Sequence, residues 1–417
     1  MLKFLLGGFL LITSVAFSQK VSEVQPPYNI KTVSFIQSGQ VTVPIFQLTD
    51  SFQIEFDDLY GNEANYYYEI VHCNYDWTPS DLAKVEYLQG FDNQRIQDYT
   101  NSFNTLQLYS HYRLSFPNRL TQFKVTGNYL IRILNDNKDV VFSRKFILYE
   151  DQVQVPVQVK RARNVAVIDY MQNLDFAVKS NTILFQNPLK NVKVLLMQNG
   201  RFDNAITNVK PQYTLGNDLI YKYDSETQFW GGNEFLYFEN KDIRAANNNV
   251  ARIDAGKDNG IYGAFLYTND ARGNKPYTFA PDINGSFLVK NVGATNNAVE
   301  ADYAWIYFSL AAPAFFGNKD IYVNGMFNNF AMNDENRMEY NEKRGVYEKA
   351  IMIKQGFTNF QYVIADKNGV VDNREAIDGN FSQTENNYIV LVYYRENNSR
   401  YDKVIGRGVA SSVDITN

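Results

Sequence analysis

The 417-residue sequence contains one cysteine, two histidines and three tryptophans. A single cysteine excludes an internal disulfide framework and any zinc or iron–sulfur site built from several cysteines. Charged residues make up only 20% of the chain and the net charge is -5, so nucleic acid is not expected as a partner. No run of about 18 apolar residues follows the N-terminal segment, which argues against a transmembrane helix in the rest of the chain.

Aromatic and amide residues are plentiful: the chain has 30 tyrosines, 30 phenylalanines and 48 asparagines. Tyrosine and phenylalanine favour β-strands, whereas asparagine favours the turns between them. A hydrophobic content of 45% is normal for a globular protein. At about 100–200 residues per domain, the length predicts two to four domains.

The first eighteen residues have the pattern of a cleaved signal peptide. A basic start at Lys3 is followed by the apolar run 4–15 and by the small residues of 16–18. We predict cleavage between Ser18 and Gln19, which makes the mature chain an exported protein. No cysteine directly follows the apolar run, so a lipid anchor is not expected.

The strand pattern indicates an all-β fold. Phe52, Ile54 and Phe56 alternate with polar residues, which is the period-two signal of a half-buried strand. The polar cluster 135–139 between two apolar segments predicts a hairpin. Similar short segments continue through the chain, and none predicts a helix longer than about three turns. We predict three consecutive immunoglobulin-like or early-set β-sandwich domains at residues 28–152, 153–298 and 299–417.

A search for catalytic and metal-binding patterns finds no set that fits. His72 and Cys73 are neighbours on a predicted strand, so their side chains point to opposite faces and cannot share one ion. A nucleophile pair of Cys73 with His111 remains an alternative. The segment 254–260 has the composition of a calcium loop but lacks its final glutamate, which favours a solvated turn. We expect no catalytic residue, no metal and no cofactor.

The last block contains a second recognisable pattern. Residues 321–330 and 359–366 resemble the early-set sandwich of glycogen-binding modules. That family stacks a tryptophan on sugar rings, and Phe330 stands at the matching position. The resemblance implies an alternative function as an exported carbohydrate-binding accessory protein.

An ordered series of motifs runs from about residue 28 to the C-terminus. Its residues are His72, Cys73, Asp76, Trp77, Pro79, Gly90, Tyr99, His111, Gly232, Asn233 and Glu234. The series resembles the plug protein family of the type IX secretion system of Bacteroidota. The resemblance implies a periplasmic protein without catalytic residues. Such a protein would bind the periplasmic opening of the outer-membrane translocon barrel and block its channel when no cargo is in transit.

The polar stretch 77–104 interrupts the strand pattern of the first block. Loops of this length inside a compact domain are often functional. We predict it as the surface that contacts the translocon, through the aromatic residues Trp77, Tyr87, Phe91 and Tyr99. The alternative is that this stretch covers an edge of the sandwich. No small-molecule ligand is expected in either case.

Overall fold

A computed structural model describes residues 19–256, 260–313, 317–374 and 376–416. The predicted signal peptide, residues 1–18, lies outside the described residues. Strands dominate the structure, so the all-β sandwich prediction is confirmed. The α-helices of the described chain are the four-residue segments α1 (Lys84–Tyr87), α2 (Pro188–Asn191) and α3 (Asn297–Glu300). None of the helices in these ranges could cross a membrane.

The N-terminal unit is a sandwich of two five-stranded sheets. Its strands are β1 (Ile30–Gln37), β2 (Gln40–Val41), β3 (Ile45–Gln47), β4 (Phe52–Asp58), β5 (Tyr67–Cys73), β6 (Leu88–Gly90), β7 (Gln94–Arg95), β8 (Asp98–Asn101), β9 (Ser110–Phe116), β10 (Thr121–Phe123), β11 (Gly127–Leu134) and β12 (Val140–Tyr149). The sheet orders are β2–β1–β4–β9–β8 and β3–β12–β11–β5–β7, and β6 pairs with β10 as a separate ribbon. The core between the sheets is aromatic: Phe46 stacks on Phe52 with ring centroids 4.1 Å apart.

The middle unit is built from two distant parts of the chain. Its strands are β13 (Val157–Arg161), β14 (Met171–Val178), β15 (Val192–Gln198), β16 (Tyr213–Leu215), β17 (Asp218–Tyr221), β18 (Gln228–Trp230), β29 (Asn387–Tyr394) and β30 (Lys403–Ser411). The sheet β13–β14–β17–β16, with β18 on β14, shares one apolar core with the sheet β15–β29–β30. A 3₁₀ turn, Ser412–Asp414, follows the last strand.

The inserted unit occupies the chain between β18 and β29. Its strands are β19 (Leu236–Glu239), β20 (Val250–Asp254), β21 (Gly263–Leu266), β22 (Asn269–Asp270), β23 (Phe287–Val289), β24 (Tyr303–Ala311), β25 (Lys319–Asn324), β26 (Glu339–Asn341), β27 (Val346–Lys354) and β28 (Gly356–Asp366), with a 3₁₀ turn at Met326–Asn328. The sheet β20–β21–β24–β27–β26 packs with β19–β28–β23 and with β25, which pairs with β28.

Strand pairing corrects the predicted boundary between residues 298 and 299. Strand β29, from the predicted third block, pairs with β15 of the predicted second block. Strand β21, from the second block, pairs with β24 of the third. The prediction was wrong because it assigned each strand to its neighbours in sequence, whereas these pairs join strands far apart in the chain.

Two further apolar clusters lie between the units. One joins the outer face of the N-terminal sheet that contains β12 to the middle sheet that contains β29. The other joins the N-terminal unit to β24 and β27 of the inserted unit. Both junctions therefore bury apolar surface in addition to the three cores.

Candidate functional site

His72 is part of the core of the N-terminal unit. Its Nδ1 lies 2.7 Å from Ser80 Oγ, and its Nε2 lies 3.2 Å from the carbonyl oxygen of Thr126. Burial lowers the pKa of His72 to about 4, so the ring is neutral at pH 7. A Cβ at Gly127 would lie 2.2 Å from Nε2, and this explains why glycine is needed there.

Cys73 points to the opposite face of β5 and is also buried. Burial raises the pKa of the Cys73 thiol to about 12, so it carries almost no thiolate at neutral pH. This thiol is therefore unsuited to act as the nucleophile of a pair with His111. Within the ranges that the structure describes, no group of three or more His, Cys, Asp and Glu side chains could hold a metal.

Asp76, Trp77 and Pro79 form a tight turn after β5. The Asp76 carboxylate accepts hydrogen bonds from the backbone N–H and the hydroxyl of Thr78, at 3.1 and 2.7 Å. Trp77 has a φ of 65°, and Pro79 forms a β-bridge with Cys73. The turn directs the preceding tyrosine and the tryptophan away from the N-terminal core.

This turn attaches the N-terminal unit to the middle unit. The Tyr75 hydroxyl donates to the carbonyl oxygen of Val194 at 2.7 Å, and its backbone N–H donates to Asp402 Oδ2 at 3.0 Å. The ring of Trp77 meets Phe202 edge-on, with centroids 5.6 Å apart. Trp77 was predicted to contact a partner protein, but its ring packs within the chain.

A buried ion pair attaches the N-terminal unit to the inserted unit. Lys354 Nζ lies 2.6 Å from Asp57 Oδ2, and the two side chains are 3% and 1% exposed. The Tyr303 hydroxyl donates to the same oxygen at 2.6 Å. His111 Nδ1 lies 2.7 Å from Asp57 Oδ1. His111 thus belongs to this network.

The charges of this network depend on one another. Burial lowers the pKa of Lys354, although the Asp57 carboxylate opposes the effect. Burial alone would raise the pKa of Asp57, but the Lys354 ammonium and the His111 ring hold it below its usual value. Asp57 is therefore ionised at neutral pH, and the Lys354 ammonium and the His111 ring stabilise this buried charge.

Gly232, Asn233 and Glu234 mark the place where the chain leaves the middle unit. The backbone N–H of Gly232 donates to Asn380 Oδ1 at 3.1 Å, and the Asn233 amide donates to the carbonyl oxygen of Asp378 at 2.8 Å. Glu234 Oε1 accepts from the backbone N–H of residue 385 at 3.0 Å. These bonds hold the outgoing segment against the returning segment, which leads into β29.

The stretch 77–104 covers the edge of the N-terminal sandwich. Strand β7 extends one sheet by pairing with β5, and β8 extends the other by pairing with β9. Tyr87 is buried and donates to the carbonyl oxygen of Ile70 at 3.1 Å. The ring of Tyr99 packs against Tyr112, with centroids 5.5 Å apart and the ring planes tilted by 31°. The expectation that Tyr87 contacts a partner is wrong because the helical turn α1 places it inside.

Phe91 is the one predicted contact aromatic that lies open to solvent, with 73% of its surface exposed. It stands at the tip of the β6–β10 ribbon, where its N–H donates to the carbonyl oxygen of Leu120 at 2.7 Å. Gly90 has a φ of 90°, and a Cβ there would lie 2.0 Å from the same oxygen. Glycine therefore lets the ribbon close and present Phe91.

Phe330 does not form an open platform for sugars. Its side chain is only 9% exposed, and the Arg201 guanidinium lies over the ring, 4.5 Å from its centroid. A stacked sugar needs a free ring face, which this arrangement does not offer. The observation removes the main support for the carbohydrate-binding alternative.

Four important residues of the junctions were not predicted: Asp57, Tyr75, Tyr303 and Lys354. Lys354 ends an apolar strand, a position at which lysine usually reaches solvent. The only available signals were the adjacent acidic residues 57–58 and the tyrosines themselves at 75 and 303. Neither signal identifies a partner so distant in sequence.

Comparison with known proteins covers both the N-terminal unit and the whole chain. Residues 30–150 match the family model described as the type 9 secretion system plug protein 1st domain. A crystal structure of a hypothetical protein from Parabacteroides merdae is similar to the chain, with a TM-score of 0.89 and 31% sequence identity. The match covers 94% of this chain and 100% of that one, so it extends through the middle and inserted units. No curated protein matches the chain.

Proposed function

The chain belongs to the plug protein family of the type 9 secretion system, and from this premise we propose that it closes the secretion channel from the periplasmic side. It binds the periplasmic opening of the outer-membrane translocon and occludes the channel when no cargo is in transit. The mechanism is reversible binding without covalent chemistry. The family match of residues 30–150 is the observation that carries this proposal.

The junctions between the units support a steric role. A protein that blocks a channel sterically must keep its shape when bound, and domains joined by flexible linkers would move relative to one another. Here Asp57 and Lys354 form a buried ion pair across one junction, and Tyr75 and Asp402 form a buried hydrogen bond across another. Separating the units would leave these buried polar groups without their partners, which is costly. The units are therefore expected to move together.

The ribbon tip is the surface that we assign to the translocon. Phe91 and Leu120 lie side by side there, and 73% and 44% of their surfaces are exposed. Exposed aromatic residues are enriched at the centres of protein interfaces. The other three aromatics predicted as contacts, Trp77, Tyr87 and Tyr99, pack within the chain, which leaves Phe91 as the anchor.

Affinity purification from the native host tests the proposal. The tagged protein is expected to recover the translocon barrel from solubilised outer membranes, with the bound proteins identified by mass. Deleting its gene should make the outer membrane more permeable to large antibiotics. If the wild-type protein never recovers the barrel, the proposed function is wrong.

Two matched variants test the surface separately. Phe91→Asp should reduce recovery of the barrel at least tenfold, which corresponds to about 1.4 kcal/mol. Phe103→Asp, at another exposed phenylalanine of the same unit, should leave recovery unchanged. Equal recovery with both variants would reject the ribbon tip and leave the plug function standing.

A further inference from the structure

A cavity of about 70 Å³ lies between the N-terminal unit and the inserted unit. Strand β1 contributes Lys31 and Thr32 to its wall, and the inserted unit contributes Asn336 and Met352. A volume of this size holds several waters or one small organic ion. Arg144, on β12, also lines the cavity.

Arg144 occupies a position that normally holds an apolar side chain. Side chains alternate along a strand, so Arg144 shares its face of β12 with Phe142 and Phe146, which belong to the N-terminal core. The arginine is only 6% exposed. Its Nη1 donates to the carbonyl oxygen of Ser143 at 2.9 Å. A guanidinium has five N–H donors, and among the described residues Arg144 has no second acceptor and no ion pair.

The carboxylates around Arg144 are already engaged by other groups. Glu23 acts on Arg144 electrostatically, but its oxygens accept from the Lys145 N–H at 2.6 Å and from the Asn329 amide at 2.7 Å. Glu335, on the cavity wall, pairs with Lys31 at 2.8 Å. Burial lowers the pKa of Arg144, as expected for a charge held away from water.

We propose that this cavity binds a small monocarboxylate, of the size of formate or acetate, against the Arg144 guanidinium. A buried charge without a counter-ion is costly, and an anion supplies both the opposite charge and acceptors for the remaining N–H groups. The two oxygens of a carboxylate match the fork of a guanidinium, which a single spherical ion does not. The cavity walls come from two units, so the bound anion links the N-terminal unit to the inserted unit.

Unfolding and binding measurements on the mature chain test this site. Urea unfolding is followed while sodium acetate replaces sodium gluconate at constant ionic strength, since gluconate carries a carboxylate on a chain too large for the cavity. At about 100 times its dissociation constant, acetate should lower the unfolding equilibrium constant about 100-fold, and the stabilisation should keep growing with the logarithm of the acetate concentration. Saturation-transfer NMR on the acetate methyl group reports binding directly, and a sodium chloride arm shows whether a spherical anion substitutes.

Variants separate this site from general effects of salt. Arg144→Gln should abolish both the acetate dependence and the methyl signal, whereas Arg119→Gln, which removes an exposed arginine, should retain both. The proposal fails if acetate and gluconate act alike, if chloride acts as strongly as acetate, or if the two variants behave alike. If Arg144→Gln does not fold, the comparison of acetate with gluconate on the wild-type chain still shows whether the cavity binds acetate.

Discussion

Replacing Lys354 by methionine should weaken the junction between the N-terminal and inserted units. The change leaves the Asp57 carboxylate buried without its ammonium, which is 2.6 Å away in the native structure. Removing one partner of a buried ion pair usually costs about 3–5 kcal/mol of unfolding free energy. Asp57→Asn should cost a similar amount, because it strands the ammonium instead. The double variant should cost less than the sum, with a coupling energy of about 2–3 kcal/mol.

Urea unfolding of the wild type, both single variants and the double variant measures this coupling. Trp305 packs in the apolar cluster at the same junction, so tryptophan fluorescence should report its opening. Lys349→Met is the matched control because it makes the same substitution on the same strand at a half-buried lysine, whose ammonium donates to the exposed carbonyl oxygen of Asp334. Its effect should stay within about 0.5 kcal/mol.

Additivity would refute this reasoning. If the double variant loses the sum of the two single losses to within about 0.5 kcal/mol, the two charges do not depend on each other. If Lys354→Met is no more harmful than Lys349→Met, the buried ammonium contributes nothing to the junction.

Three further predictions concern the core of the N-terminal unit and the other two junctions. The pKa of His72 falls from 6.5 unfolded to about 4 folded, so the unfolded chain binds the proton first as pH drops. Between pH 7.5 and 5 this difference in proton binding should remove about 2 kcal/mol of unfolding free energy. Urea titrations at both pH values should show this loss in the wild type and not in His72→Gln. An unchanged pH dependence in His72→Gln would contradict the prediction. Gly231→Ala places a Cβ 2.1 Å from a backbone carbonyl oxygen and should lower the unfolding free energy by about 1–3 kcal/mol. Gly293→Ala, where a Cβ meets no close atom, should be tolerated in the same urea assay. Equal urea midpoints for the two variants would show that Gly231 is not closely packed. Tyr75→Phe removes a buried hydroxyl with two hydrogen bonds and should lower the unfolding free energy by about 1–3 kcal/mol in thermal unfolding. Tyr99→Phe, whose hydroxyl makes an exposed hydrogen bond, should change it little. Equal losses would mean that the Tyr75 hydroxyl does not stabilise the junction.

Local patterns predicted the strands well. The alternation at Phe52, Ile54 and Phe56 corresponds to β4, and the polar cluster 135–139 joins β11 to β12 as a hairpin. These features depend on the period of side-chain burial and on turn residues, both of which are visible within about ten residues.

Long-range pairing could not be predicted in the same way. Strand β29 has the apolar composition of any buried strand, and nothing within it identifies β15 as its partner. The same limit applies to Lys354 and Asp57, whose attraction arises only after the fold brings two units together. Phe91 is exposed and its contact with a partner stays a prediction, whereas one helical turn buries Tyr87, which was also predicted to contact a partner.

The divided middle unit has a consequence for the order of folding. Its core needs β29 and β30, so it can close only after the whole inserted unit has been synthesised. Closing so long a loop is entropically costly and slows folding when the loop is disordered. The hydrogen bonds between the segments around Gly232 and Asn380 hold the two ends of the inserted unit together. If the inserted unit folds first, it reduces this loop to a short span, and the final two strands then add to an already positioned sheet.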